Sequence, residues 1–364
     1  MQTRYDSLGM IEGDMAHRHP EKTALGFTRR EVLRGAMAVG ALGLVAGCRG
    51  KNNKNVHRIA VPLQGMTAEF MQLWLRGAQA HPAIRNGLAS ITVFDGRMDA
   101  LTQANQFDTI ITQRYDAIIF IPVDIQAGVG PAAQAKAAGI PLIGSNTLMA
   151  DRSLYRCYIG SDGVVSGEDV ARAVITKLGG KGNVVIFEGI IGHSAQIERR
   201  QGIQTIVAQF PNVKVLEMKA ANWSRAEGQA LMENWLTAHG SAINGVISQN
   251  DEMALGALEA LKARAIDLAT HPVGGVDGLT DALDAVKRGE MWTTLQDANA
   301  QAQGSIDLAL RVLVGPSYQP MSDIWQQYPG KLDWGDGTRT EYMVPWTAVT
   351  SENVDRLLAV RRAG

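Results

Sequence analysis

The stretch GVISQNDEMALGALEAL, residues 245–261, holds the transition that decides the fold. The apolar run GVIS ends in Gln249-Asn250-Asp251-Glu252, and an apolar pattern of helical spacing follows at once over 252–264. A short buried strand that feeds directly into a helix is the repeating unit of a parallel α/β sheet. The same unit recurs on both sides. Upstream, RIAVPL precedes a helical stretch at 68–80, ITVFD precedes 100–113, AIIFIPV precedes 127–138, and IPLIGSN follows. A second series runs YIGSDG to 164–178, NVVIFEG to 194–209, VKVLEMKA to 225–238, GVIS to 252–264, PVGGVDG to 279–288 and MWTTLQD to 300–314. The strands are continuous apolar runs, as expected where helices cover both sheet faces. The fold class is α/β, with two doubly wound Rossmann-like lobes. The less regular tail from 315 contains WGDGTRTEYMV, which reads as a hairpin turning at Asp336-Gly337.

Bulk composition agrees with a chain of 364 residues in two domains. With 46% hydrophobic and 20% charged residues it is an ordinary globular chain, and a net charge of -1 supplies no field for nucleic acid. The 2 cysteines exclude a disulfide framework or a cysteine-based metal site, and Cys157 reads as a small core residue. The first fifty residues read as an address. Thr28-Arg29-Arg30 with Leu33-Arg34 resembles a twin-arginine export signal, and a weakly apolar run then ends in Val45-Ala46-Gly47-Cys48, which resembles a lipobox. Cys48 is thus the expected lipidation point, with KNNKN after it as a tether to a lipid anchor.

In open α/β sheets, ligands bind beyond the carboxyl ends of the strands. That rule selects loops at 64–70, 122–124, 145–147, 192–199, 249–251, 277–279 and 296–299. They hold amides, hydroxyls and aromatics but no nucleophile elbow, no metal pair and no phosphate loop, so no enzyme chemistry and no cofactor is expected. His193 reads as a loop residue before an N-capping Ser194 rather than as a general base. Paired amides and carboxylates suit a hydroxyl-rich ligand, and aromatic rings stack on sugar C–H faces. Phe70 and Trp223 are the expected walls, one from each lobe.

The motifs IAVPL…FMQLWLRGAQ, DAIIFIPVD, AGIPLIGSN, EGIIGHSAQIERRQG, QNDEMALGALEALK and VGGVDG, over 57–314, resemble the periplasmic sugar-binding proteins of the ribose type, the receptors of ABC importers. The ending VPWTAVTSENVD is similar too. The resemblance implies two lobes joined by three crossing strands, with a cleft that closes on ligand. It divides the chain into a signal at 1–48, a tether at 49–56, a first lobe at 57–160 with 298–317, a second lobe at 161–297, and a hinge crossing with tail at 318–364. It implies Phe70 as one aromatic wall and Trp223 as the other, Arg199 against ring or hydroxyl oxygens, Asn250 as an amide reader, Asp277 as a carboxylate, and Asp297 where the family often has Gln.

This chain departs from the family in the first lobe. Thr67-Ala68-Glu69-Phe70-Met71 stands for an Asn-rich opening, Asn146-Thr147 for an Asp-Arg pair, and Ile121 for an Asn. Gln64 and Glu69 are the available replacements and Asn146 stays a candidate ligand contact, a pattern that points away from ribose to another pentose, a hexose or a polyol. The expected partners are that carbohydrate or polyol, an ABC permease and a lipid anchor, with no nucleic acid, for a monomer in the periplasm or cell envelope. The alternative reading is a sensory periplasmic receptor for a sugar-like ligand.

Overall fold

The computed structural model describes residues 56–363, so the expected export signal and the expected lipidation point Cys48 lie outside the described residues. The chain opens with β1 (His57–Leu63), whose last five residues are buried. Then follow α1 (Glu69–Ala80), a single turn α2 (Pro82–Arg85), β2 (Ala89–Asp95), α3 (Ala100–Thr112), β3 (Ala117–Phe120), α4 (Val129–Ala137), β4 (Leu142–Ser145) and β5 (Cys157–Gly160). The second series is α5 (Gly163–Lys177), β6 (Gly182–Glu188), α6 (Ser194–Val207), β7 (Val213–Ala220), α7 (Arg225–His239), β8 (Gly245–Ser248), α8 (Asp251–Ala263), β9 (Val273–Asp277), α9 (Thr280–Lys287) and β10 (Trp292–Leu295). Last come α10 (Ala298–Val314), α11 (Ile324–Gln327), β11 (Glu341–Met343), β12 (Thr347–Ala348) and α12 (Val354–Ala363).

Two sheets result, ordered β11-β5-β4-β3-β1-β2 and β12-β10-β9-β8-β6-β7. Pairing is parallel throughout except for β12 on β10. β3, β4, β5, β8 and β9 are buried at every residue, because helices cover both faces. The chain therefore passes between sheets three times: from β5 to α5, from β10 to α10, and from β11 to β12. Helix α10 packs on α1, β3, β4 and β5 and so completes the first lobe.

The tail differs from its reading. β11 pairs in parallel with β5, with Glu341 opposite Tyr158, and makes no hairpin. The Asp336 carboxylate accepts from the Thr338 N–H at 3.1 Å, a local turn that ends one excursion rather than joining two strands. Residues 318–343 belong to the first lobe and 347–363 to the second, so 318–364 is no single hinge-and-tail unit. The buried Asp307 fixes this excursion. Its carboxylate accepts from Tyr318 Oη, Ser322 Oγ and Trp325 Nε1 at 2.5–2.8 Å, and pairs with His81 Nε2 at 3.1 Å. Cys157 is buried, and burial pushes its thiol up to about 12, in keeping with an inert core residue.

Two helix pairs in the second lobe touch backbone to backbone. A Cβ on Gly167 of α5 would collide with the backbone of Arg199 on α6, and one on Gly202 of α6 with the Val164 carbonyl. Gly228 of α7 and Gly256 of α8 meet their neighbours in the same way. The first pair bears directly on the site, because it sets the depth at which Arg199 stands.

Candidate functional site

The carboxyl ends of both sheets face a narrow cleft between the lobes. The first lobe supplies Gln64, Ala68, Phe70, Met98 and Asn146, and the second supplies His193, Ala195, Arg199, Trp223, Asn250, Asp277 and Gln296. The structure thus brings Gln64, Phe70, Asn146, Arg199, Trp223, Asn250 and Asp277 together. Asp297 is not among the lining residues. It is the N-cap of α10, accepting from the Ala300 N–H at 2.9 Å and from Tyr328 Oη at 2.6 Å. An Asp immediately before a helix satisfies the first-turn amides, so it turns away from the cleft. Gln296, one residue earlier, takes the place expected of it.

Arg199 stands at the centre and is buried. Its Nη2 donates to Asp277 Oδ1 at 3.1 Å and to Gln296 Oε1 at 3.4 Å, and its Nη1 donates to the Gln249 carbonyl at 2.5 Å. Its Cζ lies 5.7 Å from the Trp223 ring and 5.6 Å from the Trp346 ring, between two indoles. Trp346 belongs to the third crossing, and its Nε1 donates to the carbonyl of Asp162 in the first at 2.7 Å. The cation is therefore braced by the hinge and neutralised by a carboxylate within the same site. Burial raises the Asp277 carboxyl to about 6, with the Arg199 cation working against that rise. Behind it lies Asp251, fully buried and raised to about 7 by burial and by the Asp277 charge. Asp251 accepts from the Leu279 N–H and from Thr293 Oγ1, so it supports the floor and does not line the cleft.

Asn250 lines the cleft but is not the free amide reader expected of it. Its Oδ1 caps α8 by accepting from the Met253 N–H at 3.0 Å, and its Nδ2 donates to the Trp223 carbonyl at 3.3 Å. Gln249 is buried behind it and ties Gly189 to Gln196, as a supporting amide. His193, read as a loop residue, lines the cleft as the N-cap residue of α6 with no capping bond of its own. Ser194 is the first helical residue, and its Oγ accepts from the Leu148 N–H across the lobes at 2.9 Å. Nothing in the sequence marks Met98 as a lining residue, whereas Ala68, Ala195 and Gln296 all fall in loops that the strand-end rule selects.

Backbone strain concentrates here. Met98, Asn146, Trp223 and Asp277 all line the cleft with positive φ, at 55°, 61°, 63° and 122°. Such conformations persist only where the surroundings enforce them, and they gather at sites. Three buried polar atoms of the lining also lack a protein partner: His193 Nδ1, Arg199 Nε and Trp223 Nε1. Buried polar atoms are nearly always hydrogen-bonded, so this clustering suits a polar ligand.

The lobes touch around the cleft. Thr280 Oγ1 donates to the Glu69 carboxylate at 2.5 Å, the Ile125 N–H donates to the Gly192 carbonyl at 3.0 Å, and Gln64 meets His193 at 2.5 Å. A two-lobed α/β shell with a cleft at the strand ends, closed by contacts between lobes, defines a hinged solute-binding protein.

Residues 59–317 match the family model of the periplasmic binding protein domain. The xylitol-binding protein of Mycolicibacterium smegmatis is 35% identical over 324 residues, 88% of this chain and 85% of that one. The D-apiose import binding protein of Paraburkholderia graminis is 36% identical over 65% of this chain and 77% of its own. An ABC transporter solute-binding protein from Bacillus halodurans, solved with bound myo-inositol, superposes with a TM-score of 0.73 at 30% identity, over 85% of this chain and 99% of that one. The chain belongs to the periplasmic binding protein family, whose members are solute receptors of the periplasm.

Proposed function

We propose that this protein is the solute receptor of an ABC importer and that it binds a neutral polyhydroxylated ligand of monosaccharide size, a polyol or a sugar, between its lobes. The observation that carries this reading is the set of unpartnered buried polar atoms, His193 Nδ1, Arg199 Nε and Trp223 Nε1, around a cleft whose one cation is already paired with Asp277. Many small donors and acceptors with no spare charge suit hydroxyls better than a carboxylate or phosphate. Phe70 and Trp223 supply apolar faces from opposite lobes. The xylitol, apiose and myo-inositol named for the relatives are chemically of this class and support the choice.

Ligand bridging the lobes favours the closed form, which offers the permease a surface from both. The same reading extends to the envelope: twin-arginine export, lipidation at Cys48, and a monomer held to a membrane by lipid. A thermal-shift panel of xylitol, myo-inositol, D-apiose, D-ribose, sugar acids and amino acids tests the ligand class. At a hundredfold excess over Kd, binding stabilises by about 2.7 kcal/mol, enough to raise Tm by a few degrees. A response to charged solutes alone sinks the polyol reading. Mass spectrometry of the mature N-terminus tests the anchor, which requires a diacylglyceryl mass on Cys48.

A further inference from the structure

Gln64 lies just past β1 in the first lobe, and His193 lies just before α6 in the second. Their side chains meet across the cleft, Gln64 Oε1 to His193 Nε2 at 2.5 Å, and both are buried. The other ring nitrogen of His193 is buried without a protein partner, on a ring that lines the cleft. That ring stands edge-on to Trp223, with centroids 5.3 Å apart, so its plane is fixed. Burial, reinforced by the Arg199 cation, lowers the His193 pKa to about 3, so the imidazole is neutral near pH 7 and carries one proton. With the Gln64 amide oriented so that Oε1 faces the ring, Nε2 holds that proton. Nδ1 is then a bare lone pair that accepts and cannot donate.

We propose that Gln64 and His193 form a relay that couples a single ligand hydroxyl to lobe closure; this rests on the polyol reading above. The ligand O–H donates to Nδ1. That bond holds the ring as the Nε2–H tautomer, and Nε2–H donates to Gln64 on the opposite lobe. A ligand that offers only an ether or carbonyl oxygen at this place sets one lone pair against another. It favours the Nδ1–H tautomer, whose bare Nε2 then repels Gln64 Oε1. The chemistry read by the second lobe thus decides whether the first lobe's bond forms. Binding to one lobe and closure of both become a single event for polyols that carry this hydroxyl and separate events for those that lack it.

The test uses the full chain labelled with ¹⁵N-histidine, at pH 7, with xylitol, myo-inositol and D-apiose as probes. The His193 resonances are those missing from His193→Gln. With a bound probe, the expected spectrum has the proton on Nε2 and a bare Nδ1 whose shift moves on binding; a proton on Nδ1 overturns the relay. Titration calorimetry supplies the second arm. Gln places an amide near the old Nε2 position and leaves nothing at Nδ1, while Gln64→Leu removes the other half. Each is expected to weaken the tightest probe about tenfold or more. In the double variant the losses should coincide rather than add, because both cut one chain of hydrogen bonds. Unchanged melting temperatures without ligand control for folding. Additive losses sink the relay while the polyol reading stands, whereas failure of every probe to bind the unaltered chain removes both.

Discussion

Arg199 and Asp277 carry the heaviest electrostatic constraint in the cleft, and each depends on the other. Removing either leaves an opposite charge in a dry site, a change that typically costs about 3–5 kcal/mol when the survivor cannot relax. Arg199→Ala and Asp277→Ala are therefore expected to weaken ligand binding at least ~30-fold by calorimetry, and near-normal affinity in both would remove them from the site. Gln296 and Asp297 make a sharper pair. Gln296→Ala should lower affinity, because the residue lines the cleft and touches Arg199. Asp297→Ala should instead lower stability by ~1 kcal/mol as a lost cap, seen as an earlier urea midpoint. Asp251 gives a pH signature. Its folded pKa of about 7 lies above the ordinary aspartate value of 3.8, so the folded state holds the proton more tightly than the unfolded chain. Its contribution is fully present below about pH 4 and is lost as pH rises toward 7. The buried His193, held near 3, works in the opposite direction, losing stability as pH falls below about 6.5. Asp251→Asn should isolate the first effect: urea unfolding at pH 5 and pH 8 should show a smaller fall in stability for the variant than for the parent. An equal fall would mean that Asp251 ionises freely in the folded protein.

Helices explain why some of this could be read from the sequence and some could not. The alternation of apolar strand and amphipathic helix fixes an α/β shell by local pattern alone, and each strand end points to a loop that reaches the cleft. Seven of the expected ligand residues, from Gln64 to Asp277, do line it. The errors lie where a polar residue at a strand end is claimed by the helix that follows. Asn250 spends its amide oxygen on α8, and Asp297 spends its carboxylate on α10. Capping geometry depends on backbone angles at a single residue, which periodicity does not resolve. His193 falls in a loop that the strand-end rule selects, but its pairing with Gln64 is not legible locally, since the two lie 129 positions apart. The β11 pairing is equally non-local, joining Glu341–Met343 to β5 across the whole second lobe. Glycine contacts lie between these extremes. Gly167→Ala is expected to push α6 off α5, destabilising the protein by about 1–3 kcal/mol and weakening ligand binding through Arg199. The Gly228→Ala change on α7 should cost comparable stability with a smaller effect on affinity. Equal affinity losses would uncouple the α5–α6 contact from the site.

At the scale of the whole molecule, the three crossings are both hinge and wiring. Trp346 connects two of them, and it also braces Arg199. Trp346→Ala should therefore reduce ligand affinity although the residue does not line the cleft. Small-angle scattering with saturating ligand should show incomplete compaction. Full compaction with unaltered affinity would reduce Trp346 to a surface packing residue. The Glu69–Thr280 clasp at the mouth predicts a milder, kinetic effect: Glu69→Ala should speed ligand release several-fold.

The crossings also impose an order on biosynthesis. The first sheet has an unfilled edge at β5 until Glu341–Met343 has been made, and it lacks the cover of α10 until 298–314 has been made. All of the second lobe's α5 to β10 is translated in between. A ribosome delivers the chain from its N-terminus, so the half that begins first is finished almost last. Neither lobe is a continuous segment that could mature while the other is still emerging. Acquisition of structure waits for a nearly complete polypeptide, and a chain stopped near residue 320 would leave an open strand edge available to other chains.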